Sequence, residues 1–119
     1  MFNIAEESFY EASNESRPKI IFSPPRDKEY IWYNEYDECH RENDRPSVII
    51  LRNNIIFAKF WYCDGYPHRE NDLPAEIWYR KDGLIRAKRW YQNEKLYRIN
   101  GPAVIWYNED GSISEEIDY

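Results

Sequence analysis

The sequence predicts an all-β fold: an antiparallel β-hairpin repeat array in which about four 28-residue units form a single-layer meander. Prolines recur at intervals of 28 residues, namely Pro18, Pro46, Pro74 and Pro102. Aromatic residues make up 18% of the chain, whereas disordered chains are poor in them. Asp-Gly pairs recur between apolar runs, and this is a strong hairpin signal because Gly accepts positive φ.

Each unit is predicted to contain two strands. The first follows the proline, as in Pro-Ala-Glu-Ile-Trp-Tyr (74–79) and Pro-Ala-Val-Ile-Trp-Tyr (102–107). It ends at a turn near 82–83 or 110–111, and the second strand then returns, over 84–91 in the third unit.

A second turn and a polar loop complete the unit. The turn is expected near 64–65 and again near 92–94, and the loop His-Arg-Glu-Asn-Asp (68–72) leads into the next proline. Gly101 takes the place of Asp72 in the last loop. Because Asn, Asp and Gly tolerate the left-handed region, a positive φ is expected at both.

The repeat predicts one domain, 1–119. Residues 1–17 form a partial repeat or cap, and the units are 18–45, 46–73, 74–101 and 102–119, of which the last is truncated as a C-terminal cap. Such units cannot bury their apolar side alone, so neighbouring units must stack.

Side-chain alternation predicts two unlike faces. Ala75, Ile77 and Tyr79 point one way and Trp78 the other. On the returning strand, Arg86, Lys88 and Trp90 share a face. We expect Trp78, Trp90 and Trp106 to lie together, interleaved with Arg86 and Lys88, on the side that carries the partner.

Net charge, apolar stretches and cysteine count indicate where the protein is located and which partners are expected. The net charge is −6, which is weak evidence against nucleic acid as the main partner. The N-terminal residues do not resemble a signal peptide, and no apolar stretch is long enough for a membrane span. The two cysteines are no disulfide framework. The expectation is an intracellular, cytoplasmic protein without a membrane partner.

Pro-Ala-x-Ile-Trp-Tyr-x-x-Asp-Gly and Trp-Tyr-x-Asp-Gly-x-x-His-Arg-x-x-Asp-x-Pro-Ala resemble the MORN-variant repeats of phage and large DNA virus proteins. They are more distantly similar to the repeats of YwqK-type antitoxins. The resemblance covers residues 14–119, but the Gly-rich hairpin of standard MORN units is replaced here. It implies a β-hairpin array with a binding or scaffold role, no catalytic residues, and a host protein as partner if the protein is viral.

Two sets of residues are weighed for chemistry. Cys39, His40, Cys63 and His68 could hold zinc if their loops met, but His40 and His68 occupy equivalent repeat positions, which favours a structural role. The His-Arg loop also recurs, whereas an active site is assembled once from unlike residues. We therefore expect no enzyme activity, no cofactor and no metal.

The sequence predicts a non-enzymatic binding protein. Its partner-binding residues are expected to be Trp61, Trp78, Trp90, Trp106, Arg86 and Lys88, because Trp and Arg are enriched in binding hot spots. A second hypothesis is nucleic-acid binding through residues 80–98, which hold seven basic and two acidic residues. A third is a small-molecule, nucleotide-like ligand between loops. Homo-oligomers could form through the sheet edges.

Overall fold

The computed structural model describes residues 17–118. The predicted partial repeat at 1–17 lies almost entirely outside this range. The described residues form twelve strands: β1 (Lys19–Ser23), β2 (Asp27–Ile31), β3 (Val48–Arg52), β4 (Ile55–Phe60), β5 (Tyr62–Cys63), β6 (Tyr66–Pro67), β7 (Glu76–Tyr79), β8 (Ile85–Arg89), β9 (Tyr91–Gln92), β10 (Lys95–Leu96), β11 (Val104–Tyr107) and β12 (Ile113–Ile117). No helix in this part of the chain could cross a membrane.

Eight strands form one antiparallel sheet in the order β1-β2-β3-β4-β7-β8-β11-β12. The order follows the chain, so each repeat contributes one long hairpin beside the previous one. β5 pairs with β6, and β9 with β10, as short separate hairpins. The predicted all-β hairpin meander is confirmed.

The turns lie where the sequence predicts them. Residues 82–83, 110–111, 64–65 and 93–94 all fall in turns or bends. Gly83, Gly111 and Gly65 have φ of 92°, 91° and 90°, a region that L side chains rarely adopt. The turns of the four long hairpins lie at one end of the sheet, because consecutive hairpins of a meander all point the same way.

The second strand of a unit is shorter than predicted. The strand expected over 84–91 ends at Arg89, and Trp90 interrupts it. The Trp90 N–H donates to the Ala103 carbonyl at 2.8 Å, and the Trp90 carbonyl accepts the Tyr97 N–H at 3.0 Å. Trp90 therefore joins the large sheet on one side and closes the short hairpin on the other.

The small residue that follows Pro46, Pro74 and Pro102 is completely buried. Ser47, Ala75 and Ala103 have no exposed surface. The N–H of Ala75 donates to the Arg89 carbonyl at 2.9 Å, and its equivalents make the same bond. Ser47 keeps its hydroxyl satisfied by accepting the Tyr62 N–H at 2.8 Å. The small residue also joins adjacent hairpins, because the Ala75 carbonyl accepts the Trp61 N–H at 2.8 Å.

Each described hairpin from the second onward contains a β-bulge. The register slips by one residue between Ile50 and Leu51, and likewise in the next two hairpins. The extra, unpaired residue is Phe57 in β4, Arg86 in β8 and Ser114 in β12. These three residues lie close to the hairpin turns. A bulge bends the strand and redirects the side chain of the extra residue.

The loop around Gly101 differs from the expectation. Asp72 has a φ of 56°, as predicted, but Gly101 is not in the positive region, so that prediction is wrong. The last loop is one residue shorter between its Arg and its Pro. A Cβ on Gly101 would lie 2.9 Å from Nη1 of Arg98, so a larger residue there would force the Arg98 side chain to shift.

Candidate binding site

The pairing register puts on opposite faces some residues that side-chain alternation predicted to lie on the same face. Trp78 pairs with Ala87, and Ala87 pairs with Trp106, so both indoles lie on one face. Lys88 pairs with Ile77 and Ile105 on the opposite face. The predicted interleaving of Trp78 and Trp106 with Lys88 is wrong. Alternation shows which side chains of one strand share a face. The pairing register is needed to show which side chains of two neighbouring strands lie on the same face.

Trp61 and Trp90 are buried, with only 7% and 5% of their surface exposed. The Trp90 Nε1–H donates to the Asp72 carbonyl at 3.0 Å, and Trp61 makes the equivalent bond to Asp44. The expectation that these two indoles lie open on a partner face is therefore wrong. They pack beneath the polar loops and belong to the core.

An arginine covers each of these indoles. The Arg69 guanidinium carbon lies 3.8 Å from the centre of the Trp61 ring, and Arg98 lies 3.9 Å from that of Trp90. Arg98 also donates Nε–H and Nη2–H to the Asp72 carboxylate at 2.9 and 3.2 Å. These bonds hold the pKa of Asp72 below its usual value. The His-Arg loop thus ties neighbouring repeats together.

The histidines serve the same loops. His68 Nδ1 accepts the Asn93 N–H at 3.3 Å, and His40 Nδ1 accepts the Asp64 N–H at 3.0 Å. His40, Cys63 and Asp64 place three ligand atoms within 4.8 Å of one another. His68 makes the same backbone bond in the next repeat, where Gln92 replaces Cys63. The structure of the repeated loop therefore explains why His40 lies beside Cys63 and Asp64. Among the described residues, Cys39 and His68 do not join this cluster.

A half-buried aromatic strip runs along the face of Trp78. The Trp78 ring makes edge contacts with Phe57 and Phe60, with centroids 5.4 and 5.3 Å apart. Ala58 and Ala87 flank Trp78 in the neighbouring strands and are buried. Their small side chains leave room for the indole to lie across the sheet. Trp106 continues the strip beyond Ala87.

A concave groove lies at the hairpin-turn end of the sheet, between the second and third long hairpins. We call it the tip groove; it has a volume of about 290 Å³. Its lining residues are Arg52, Asn53, Ile55, Ile56, Phe57, Tyr79, Arg80, Lys81 and Arg86. Four cations therefore surround an aliphatic and aromatic floor, and none of these nine residues is acidic.

The four cations of the tip groove are positioned in different ways. The Arg52 guanidinium carbon lies 4.5 Å from the Phe57 ring centre. Arg80 donates Nη2–H to the Tyr107 carbonyl at 2.7 Å, which fixes it against the next repeat. Lys81 and Arg86 are exposed, and within residues 17–118 neither makes an ion pair or side-chain hydrogen bond. These two charges are available to a ligand.

The surroundings of the tip groove are less basic than the groove itself. The depression between the first and second hairpins is lined by two acids, Asp27 and Glu29, and by two cations, Lys28 and Arg52, so its charge is balanced. On the other side, the fourth hairpin turns at Glu109 and Asp110. The basic surface is thus limited to the width of one repeat, in a chain whose net charge is −6.

Of the predicted binding residues, only Arg86 lines the tip groove. Trp78 does not line the groove, but its ring contacts Phe57, which does. Arg80 and Lys81 belong with Arg86 to the basic segment 80–98 of the nucleic-acid hypothesis, whereas no prediction included Arg52. A signal for two of them was present, because Arg52 and Arg80 are 28 residues apart: Arg52 is the last residue of β3, and Arg80 directly follows the last residue of β7.

Comparisons with known proteins give no relative: no family model, curated protein or solved structure matches this chain.

Proposed function

We propose that this chain is a non-enzymatic binding protein, and that it holds an acidic segment of a partner protein in the tip groove. The observation that carries the proposal is the combination of four cations with an apolar floor and no lining acid. Charged groups at a concave surface of one sign steer an oppositely charged partner and select against the wrong one.

Each part of the tip groove has a role in this proposal. Lys81 and Arg86 would pair with carboxylates, and the guanidinium of Arg86 suits them because its N–H groups match the two oxygens. Ile56, Phe57 and Tyr79 would contact an apolar side chain between those carboxylates. Burial raises the pKa of the Tyr79 hydroxyl, so Tyr79 is neutral at physiological pH and adds no negative charge.

The bound surface would extend from the tip groove onto the aromatic strip. Phe57 lines the groove and also contacts Trp78. A partner segment leaving the groove over Phe57 would therefore meet the half-buried Trp78 and Phe60. Arginine and large aromatic residues carry much of the energy in protein interfaces.

A protein segment fits this site better than a nucleic acid does. The basic residues of 80–98 do not form one stripe: Arg98 pairs with Asp72, and Arg89 lies 3.5 Å from the Glu76 carboxylate. Nucleic-acid binding needs contacts to successive phosphates, whereas the tip groove has the acidic turn of Glu109 and Asp110 on one side and a charge-balanced depression on the other. The resemblance to viral MORN-variant repeats supports an accessory factor that acts on a host protein.

Calorimetric titration with a short peptide of alternating Glu and Leu tests the proposal. We expect binding that Lys81→Glu/Arg86→Glu weakens at least tenfold, about 1.4 kcal/mol. Lys19→Glu/Lys95→Glu, a double reversal of the same size at exposed positions away from the groove, should have little effect. A Lys-Leu peptide of equal length should not bind.

Two further ligands provide the competing outcomes. If single-stranded oligothymidylate binds more tightly than the acidic peptide, with a steep salt dependence, the nucleic-acid hypothesis is preferred. If ATP binds and the acidic peptide does not, the tip groove is a small-molecule site. Either result contradicts the proposal.

A further inference from the structure

We infer that the tip groove also receives the acidic fourth hairpin of a second copy of this chain, so that two molecules join end to end around a two-fold axis. The inference rests on the proposed function, because it assigns an occupant to the same basic groove. It names the occupant as a hairpin of known geometry instead of an unidentified segment.

The fourth hairpin has the chemistry that the tip groove selects. Within residues 99–118 there are five acids and no Lys or Arg. Glu109 and Asp110 form its turn, and Ile113 follows them with 51% of its surface exposed. Carboxylates beside an exposed aliphatic side chain complement the cations and the apolar floor.

Hydrogen bonds stabilise the ionised form of the Asp110 carboxylate. It accepts the Ser112 hydroxyl at 2.6 Å and the Ser112 N–H at 2.9 Å. These hydrogen bonds hold the pKa of Asp110 below its usual value. The turn therefore presents the ionised Asp110 carboxylate at neutral pH.

The turn of the fourth hairpin cannot fill the tip groove of its own molecule, although Arg80 reaches the Tyr107 carbonyl. β11 pairs with β8 through Val104, Ile105 and Trp106. That pairing keeps the fourth turn about three strand spacings, roughly 14 Å, from the groove. The contact must therefore be made between molecules.

Two-fold symmetry satisfies both contacts at once. The groove lies between the second and third turns, and the acidic turn is the fourth in the same row. An axis beside β8 places each acidic turn against the other molecule's groove. It also sets the third turn of one molecule between the third and fourth turns of the other. Leu84, 44% exposed at the third turn, would then be covered, and the interface is isologous.

Sedimentation velocity on the full chain over a range of concentrations tests the inference. The wild-type protein should form dimers that weaken as salt increases. Two variants should each weaken the dimer at least about tenfold: Lys81→Glu/Arg86→Glu in the groove, and Glu109→Lys/Asp110→Asn in the turn. Asn at 110 retains a side-chain oxygen for Ser112. Lys19→Glu/Lys95→Glu, two exposed positions away from the groove and the fourth turn, controls for the change in net charge of the groove variant, and circular dichroism melting controls for folding.

An equimolar mixture of the two variants is the decisive sample. Each variant alone opposes like charges at both contacts, whereas the mixture opposes unlike charges at both, so dimers should return. A wild-type protein that stays monomeric overturns the inference, as does a dimer that neither variant weakens, since pairing along the β12 edge would behave that way. If the acidic peptide still binds in either case, the proposed function stands without this inference.

Discussion

Replacing Trp90 by alanine tests which indoles support the fold. The Trp90 side chain is 5% exposed, lies under the Arg98 guanidinium at 3.9 Å and donates a hydrogen bond to the Asp72 carbonyl. The substitution removes the ring, the cation–π contact and the bond together. Truncating a buried Trp to Ala costs about 3–5 kcal/mol of the free energy of unfolding.

Urea denaturation measures this cost directly. Trp90→Phe should cost less, because the ring face remains for Arg98 and the main loss is one hydrogen bond of about 1 kcal/mol. Trp106→Ala is the matched control, since Trp106 is half-buried in the aromatic strip, and it should cost less than Trp90→Ala. If Trp90→Ala left stability unchanged while Trp106→Ala unfolded the protein, the assignment of the two faces would be reversed.

Three other substitutions or conditions have defined outcomes. Ala75→Val should lower the free energy of unfolding by about 1–3 kcal/mol through overpacking, measured by urea denaturation. Ala75→Ser should cost less, because Ser47 fills the equivalent site. Gly101→Ala should also lower it, because the new Cβ displaces Arg98; retention of the wild-type melting temperature would contradict this. Burial raises the pKa of Tyr79 above its usual 10.0, so the folded chain keeps a proton that the unfolded chain releases. The melting temperature should therefore fall as pH rises through about 10, and a constant value to pH 11 would contradict it.

The hairpin architecture could be predicted because the repeat is explicit. Equal proline spacing and the Asp-Gly turns mark chain reversals, and both depend on local backbone chemistry. The short hairpins were harder to foresee. Trp90 continues the aromatic pattern of its strand, but its hydrogen bonds to Ala103 and Tyr97 divide that strand into two.

The candidate site was only partly predictable. Trp78 and Arg86 were identified as exposed binding residues, and Arg86 lines the tip groove. Trp61 and Trp90 were misplaced because their burial depends on Arg69 and Arg98 folding back from loops. That contact joins residues eight apart in the chain, and no strand alternation encodes it.

The register across the hairpins also could not be read from the sequence. One extra residue at each bulge changes which side chains meet near the turns. Arg86 is such a residue. Its place beside Lys81 and opposite Arg52 follows from the bulge and from the packing of β4 against β7, so the tip groove became visible only in three dimensions.

Chemical-shift mapping by NMR tests the central claim most directly. The acidic Glu-Leu peptide is titrated into the isotope-labelled chain, and backbone amide shifts are followed. We expect the largest changes at residues 52–57 and 79–86, which surround the tip groove, with smaller changes at Trp78. Shifts concentrated at the short hairpins or in the His-Arg loops, with residues 79–86 unmoved, would contradict it.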